Sequence, residues 1–168
     1  MNLKKILVGI DGIKAKGEID REVTTIEKDS RKVVEGSMFF AIKGFTTDGT
    51  QYINSAIEKG AKTILVEETT DIRSLNIPED VTLIVVPDAR YAMAICACNF
   101  YDNPSKKVKL IGVTGTKGKT TTTFMIKEIL QKQGIKTGLV GTIAVYSGDK
   151  KLLDSDRTTP ESIELQQY

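Results

Sequence analysis

A chain of 168 residues, with 40% hydrophobic and 27% charged side chains, can hold one domain or two small ones and has a globular rather than a disordered composition. A net charge of +2 and only 6% aromatic residues supply neither the electrostatic pull nor the stacking surface of a nucleic-acid binder, and the scattered lysines read as solvated surface. Histidine is absent, which removes Ser–His–Asp and Cys–His nucleophilic schemes, and most zinc sites, from these residues.

Residues 3–9 predict a short helix with Leu3, Ile6 and Leu7 on one face. The apolar run of the N-terminus is cut at Asp11, too short for a signal-peptide core, and no run approaches the ~20 apolar residues of a membrane span. A cytoplasmic protein is expected. Residues 23–28 and 37–42 have strand composition, with the polar turn Asp29-Ser30-Arg31-Lys32 between them. A loop from Gly44 to Gly49 leads into helical spacing at Tyr52, Ile53, Ala56 and Ile57, closed by Gly60. Strands are predicted over 62–67 and 83–86.

Asp88 is placed to cap a helix running to about Tyr101, which ends before Asn103-Pro104. Cys96 and Cys98 lie in its apolar stretch. Two residues apart on a helix point about 200° apart, so the pair reads as reduced thiols rather than as a bridge or a metal site. Asn103-Pro104 and the lysines after it suit a linker. Two domains are expected, 1–104 and 105–168. The second begins a β–loop–α–β pattern: a strand over 108–113, a helix over 118–133 with Phe124, Ile126, Ile129 and Leu130 as its apolar face, and a strand over 136–140. That order predicts an α/β fold with a parallel sheet. One helix covers only one face of such a sheet, so the second domain is expected to be incomplete as it stands.

Chemistry concentrates at Gly112-Val113-Thr114-Gly115-Thr116-Lys117-Gly118-Lys119-Thr120-Thr121. Glycines let backbone N–H groups converge on phosphate oxygens, and the following helix presents its positive end. Lys119 would neutralise the β- and γ-phosphates, and the Thr120 hydroxyl would ligate Mg²⁺. The usual spelling of such a loop would put its first glycine at 113, where Val113 stands. The alternative is a glycine-rich turn with an incidental lysine.

The segment Gly115-Thr116-Lys117-Gly118-Lys119-Thr120-Thr121 resembles the ATP-binding signature of the Mur ligase family, with Lys117 where that family often has Asn. Folylpolyglutamate synthases carry a related loop near the N-terminus, whereas here a whole domain precedes it. That domain also resembles the family in the ordered series Asp29-Ser30-Arg31, Gly36-Ser37-Met38-Phe39-Phe40-Ala41-Ile42-Lys43-Gly44 and Asp48-Gly49. By itself Asp29-Ser30-Arg31 would read as a strand-ending turn. Arg157-Thr158-Thr159-Pro160-Glu161 resembles the segment in which members adding the third amino acid contact their substrate, although a helix start with Pro at its first position is also open.

The resemblance implies an ATP- and Mg²⁺-dependent ligase of peptidoglycan precursor synthesis. It would join an amino acid to UDP-N-acetylmuramoyl-L-alanyl-D-glutamate through an acyl phosphate, as a monomer. It implies ATP binding by Gly115 to Thr121, with Lys119 catalytic and Thr120 on the metal. UDP-muropeptide contacts would come from Lys28, Ser30, Phe45, Thr46, Thr47, Arg157, Thr158 and Thr159. Phe45-Thr46 and Arg157 depart from the family, which often has His or Gln and Asn there. The remaining family machinery would lie beyond residue 168, so the chain is expected to be a fragment, inactive alone. The related ligase adding D-alanyl-D-alanine, and a stand-alone binding module without turnover, stay open as alternatives.

Overall fold

In the structure, a computed structural model, residues 1–44, 47–155 and 158–168 are described. They divide into two units, Met1–Pro104 and Ser105–Tyr168.

The first unit is built on a sheet whose inner strands are apolar in both directions. Its elements are α1 (Leu3–Ile6), β1 (Lys14–Lys16), β2 (Ile26–Glu27), β3 (Met38–Phe40), α2 (Ile53–Glu58), β4 (Thr63–Glu67), β5 (Thr82–Val86) and α3 (Ala89–Phe100). The strand order is β1-β5-β4-β3-β2. β2 to β5 run parallel, and β1 pairs antiparallel at the edge. Side chains alternate between the faces of a strand. One face gathers Phe39, Ala41, Ile64, Val66, Leu83 and Val85 with Ile53 and Ala56 of α2. The other row, Met38, Phe40, Leu65, Ile84 and Val86, is buried too. On that side α3 packs against β4 and α1. Strands covered on both faces lose their alternation in sequence and read as continuous apolar runs, as in Thr63–Glu67 and Thr82–Val86.

Helix ends in this unit are closed by local chemistry. Asp88 accepts from the Tyr91 amide at 2.8 Å and caps α3. Asn99, near the other end of α3, donates from Nδ2 to the carbonyls of Ile6 and Val8 at 2.9 and 2.8 Å, satisfying groups that α1 leaves open. After α2, Gly60 N donates to Ile57 O and Ala61 N to Ala56 O, a Schellman closure. Gly60 has φ +101°, and a Cβ there would lie 2.7 Å from Glu35 Cα, so the position has room only for glycine.

Sequence and structure differ in detail here. The first helix is shorter than 3–9. β1 carries no apolar signature, Lys-Ala-Lys with all three residues exposed, and periodicity passed over it. Cys96 is buried and Cys98 half-buried, both free, and burial pushes the Cys96 thiol up to about 12.

The second unit comprises α4 (Lys119–Lys132), β6 (Gly138–Val140), β7 (Ala144–Ser147), β8 (Lys150–Asp154) and α5 (Ser162–Gln167). Its three strands form an antiparallel meander, β6-β7-β8, rather than the expected parallel arrangement. The predicted strand 108–113 has no ladder: no described strand pairs with it, and Val108, Leu110 and Ile111 are exposed. A strand is defined by its partner, which composition alone does not supply. Helix α4 packs on β6 and ends in a second Schellman closure, Gly134 N to Gln131 O and Ile135 N to Leu130 O. Among all described residues, no helix is long and apolar enough to cross a membrane.

Candidate functional site

The loop Gly115–Gly118 and the start of α4 form the most chemically pointed feature of the second unit. Gly118 is the N-cap residue of α4, at φ +79° in the left-handed region, and it has no side chain with which to cap. The first turn carries no acidic residue either. A 14-residue helix therefore presents its first amides and its positive dipole end with no side chain of its own answering them. That is the arrangement an external phosphate or carboxylate answers. Lys119 turns back over this loop, its Nζ donating to Gly115 O at 2.6 Å. The cation thus sits at the loop itself rather than out in solvent. Residues Thr114 to Gly118 are exposed, so the loop is accessible to a ligand.

Below the loop, α4 is fixed to the meander by a network that the residue pattern alone did not reveal. Phe124 meets the Tyr146 ring edge-on at 5.7 Å, and Lys127 Nζ stands 5.6 Å from the same ring centroid. Lys127 is only 5% exposed and pairs with Asp149 and Glu128 at 3.4 and 3.5 Å, while Gln131 Nε2 donates to Asp149 at 3.1 Å. Lys127 thus departs from the reading of the scattered lysines as solvated surface. The available signal was spacing: Phe124, Lys127 and Gln131 stand at i, i+3 and i+7, on one face. The apolar face is corrected too, since Ile129 is 63% exposed. Ile129 instead lines an open groove of about 600 Å³ with Thr120, Thr121, Phe124, Met125, Glu128 and Ile143.

At the far end of the unit, Thr158 and Thr159 are exposed, and Thr142 Oγ1 donates to Thr158 Oγ1 at 3.0 Å. The helix after them starts at Ser162 with Glu161 as N-cap, so Pro160 is not its first residue. That removes the helix-start account of Thr158-Thr159-Pro160. Arg157 lies outside the described residues.

In the first unit, topology brings two candidate segments to one edge. Lys28 and Ser30 follow the C-terminal end of β2, and Thr47 belongs to the loop after β3. β2 and β3 are parallel neighbours, so both segments leave the same end of the sheet. Loops at the C-terminal ends of parallel strands are where open α/β sheets bind ligands. Ser30 is 8% exposed, Lys28 half-buried and Thr47 exposed. Phe45 and Thr46 lie outside the described residues. The loop is pinned by Gly44 N to Thr47 O at 2.8 Å, by Gly49 N to Ile42 O at 3.0 Å, and by Asp48, which accepts from the Thr50 amide and hydroxyl. Those two bonds hold the Asp48 carboxyl below the usual range. The turn beside Ser30 is set by Asp29, which takes a forked contact from Arg31 at 2.7 to 3.1 Å. The guanidinium holds the Asp29 carboxyl down at about 2. Among the described residues no group of three or more His, Cys, Asp or Glu side chains could hold a metal ion.

Comparison with known proteins agrees with both units. Residues 22–101 match the profile described as Mur ligase family, catalytic domain, and residues 113–168 match the Mur ligase middle domain. The UDP-N-acetylmuramoyl-L-alanyl-D-glutamate--2,6-diaminopimelate ligase of Clostridium botulinum is 52% identical over 166 residues, covering 99% of this chain and 34% of that protein. The ligase of the same name from Clostridium perfringens is 49% identical, over 98% of this chain and 33% of its own length. A solved structure of a UDP-N-acetylmuramoyl-L-alanyl-D-glutamate--2,6-diaminopimelate ligase superposes with a TM-score of 0.71 at 25% identity, over 99% of this chain and 32% of that one. The chain spans about a third of the length of the curated relatives it matches. With family profiles over both units and relatives about half identical along almost its whole length, this chain belongs to the Mur ligase family.

Proposed function

We propose that this chain supplies the ATP-phosphate site and part of the UDP-muropeptide site of the ligase that adds 2,6-diaminopimelate to UDP-N-acetylmuramoyl-L-alanyl-D-glutamate in the cytoplasm. The observation that carries the reading is the uncapped N-terminus of α4, with Lys119 folded over Gly115–Gly118, in a chain 52% identical to a ligase of that name. The reaction transfers the γ-phosphoryl of ATP to the D-glutamyl γ-carboxylate. The amine of the incoming amino acid then attacks the acyl carbon, forms the amide and expels phosphate. Gly115, Thr116, Lys117, Gly118, Thr120 and Thr121 hold the phosphates through backbone amides and hydroxyls, and Lys119 neutralises charge as it builds on the transferring group. The Thr120 hydroxyl would help to hold a Mg²⁺ ion brought with ATP, which would screen the same charge. Lys28, Ser30, Phe45, Thr46 and Thr47 take the uridine-diphosphate end, and Arg157, Thr158 and Thr159 the sugar-peptide end. The domain split at 104/105 follows the same division of labour.

The test is calorimetric titration of the chain with a non-hydrolysable ATP analogue and Mg²⁺. Binding is expected, weakened at least tenfold by Lys119→Ala while the far-UV dichroism stays unchanged. Absence of nucleotide binding by the wild-type chain would sink the phosphate-site assignment. With ATP in place of the analogue, phosphate release that needs no muropeptide would point to another phosphotransferase.

A further inference from the structure

We infer that Thr142, in the turn between β6 and β7, is a positioning residue that orients the Thr158 hydroxyl for its ligand. The inference rests on the reading above, in which Thr158 meets the UDP-muropeptide. Thr142 Oγ1 donates to Thr158 Oγ1 at 3.0 Å, across 16 positions of chain. A threonine hydroxyl has one proton to give and two lone pairs to receive with. With Thr142 filling one lone pair, the proton of Thr158 is kept for an acceptor, and the bond it receives makes that O–H a stronger donor. The acceptor chemistry that fits is a carboxylate or carbonyl oxygen of the kind the muropeptide carries.

Both hydroxyls are exposed, so the bond does not rescue a buried polar group and contributes little to folding. Orientation is what it contributes. The turn is well placed for this. Ile143 O accepts from Ser155 N at 3.1 Å, which ties the turn to the strand exit leading toward Thr158. Ile143 itself lines the groove with Thr120 and Thr121, in the first turn of α4. One three-residue turn thus borders the groove beside the start of α4 with Ile143 and meets the candidate muropeptide contact with Thr142. Nothing in the glycine-rich motif or in Thr158-Thr159 marks Thr142, because the link forms only when the meander folds.

The experiment is titration of the 168-residue chain with UDP-N-acetylmuramoyl-L-alanyl-D-glutamate, with UDP alone as second titrant. Thr142→Val is expected to weaken muropeptide binding about fivefold and leave UDP binding unchanged, consistent with loss of one hydrogen bond. Thr142→Ser, which keeps the hydroxyl, should restore most of the affinity. Thr158→Val should match Thr142→Val, and the double variant should be no weaker than either, because the two hydroxyls act as one unit. Wild-type affinity in Thr142→Val, with a loss in Thr158→Val, overturns the positioning role and leaves the muropeptide reading standing. An equal loss for UDP and muropeptide in Thr142→Val marks a general structural effect and also overturns it. A wild-type chain that binds UDP but gains nothing from the rest of the muropeptide overturns the reading and, with it, the inference.

Discussion

The two units solve the same burial problem to different degrees. In Met1–Pro104 the sheet is covered on both faces, and Phe39, Phe40, Ile64, Leu65 and Ile84 are essentially out of water. In Ser105–Tyr168 the buried hydrophobic residues among those described are Leu139, Ala144, Val145 and Ile163, while Val108, Leu110, Ile111, Met125, Ile129 and Ile143 face solvent. Burial of apolar area is the main favourable term in folding, so stability should concentrate in the first unit. The phosphate loop belongs to the second. The uncapped helix start with Lys119 therefore lies in the unit with less core behind it, and low local stability is common where binding elements must adjust.

The sharpest way to break that contrast is to open the first core. Phe39→Ala removes a wholly buried ring between β2 and β4, and should cost about 3–5 kcal/mol, read as a fall in the urea midpoint. Nucleotide titration at the phosphate loop should be unchanged if the units are energetically separate. Loss of nucleotide binding at temperatures where Phe39→Ala is still folded would show that the second unit leans on the first.

Gly60→Ala probes the same unit through its backbone. Left-handed φ costs an alanine about 1–2 kcal/mol, and the added methyl runs into the Glu35 main chain as well as its carboxylate, so moving the side chain alone does not relieve it. The expected loss is about 2 kcal/mol or more. Gly134→Ala after α4 is the paired control: φ is again positive, at +76°, but nothing lies within 4 Å of the added atom. It should cost about 1 kcal/mol, the conformational part alone. Equal effects at the two positions would contradict the packing difference between the units.

Asp29 gives a smaller effect with a defined pH window. Its folded pKa, about 2, lies below the ordinary 3.8, so the stability it contributes is complete above the unfolded value and is lost as pH falls from about 4 to 2. Arg31 is 84% exposed, so solvent screening keeps the contribution small. The urea midpoint of Arg31→Ala should lie slightly below that of wild type at pH 6, and the two should converge near pH 2. A constant offset across the range would mean that Arg31 stabilises by packing rather than by charge.

Legibility in the sequence divides along the line between local and non-local chemistry. Gly115–Thr121 could be read because glycine, lysine and helix start lie within seven residues and act together wherever the chain goes. Asp88 as a helix cap and Gly60 as a helix stop are equally local, and the structure has both. The runs at Thr63–Glu67 and Thr82–Val86 were readable because a strand buried on both faces needs no alternation. Val108–Val113 has the same composition and no ladder, since pairing depends on a partner that composition cannot name. β1 failed in the opposite sense: Lys14–Lys16 is polar, and only its position against Leu83–Val85 makes it a strand. Lys127 and Thr142 were missed for the same reason, their partners Tyr146, Asp149 and Thr158 being 16 to 22 positions away.

The smallest expected effect bears most directly on the contrast. Leu110 is 74% exposed and Ile129 lies on the outer side of α4, so Leu110→Ser and Ile129→Ser remove little buried area. Each should change the stability of this chain by no more than about 0.5 kcal/mol, and solubility should rise as exposed apolar surface falls. The same two substitutions in a full-length relative need not be neutral. There the additional two thirds of the protein offers surface that could cover Leu110 and α4. A cost of about 2 kcal/mol or more in the long protein, against almost none in this chain, would show that the apolar side of the phosphate-loop unit is a face awaiting cover, and that its thin core belongs to the chain rather than to the enzyme. Equal, small costs in both would mean the face stays open in the full-length relative, bordering the groove lined by Thr120, Thr121 and Ile129.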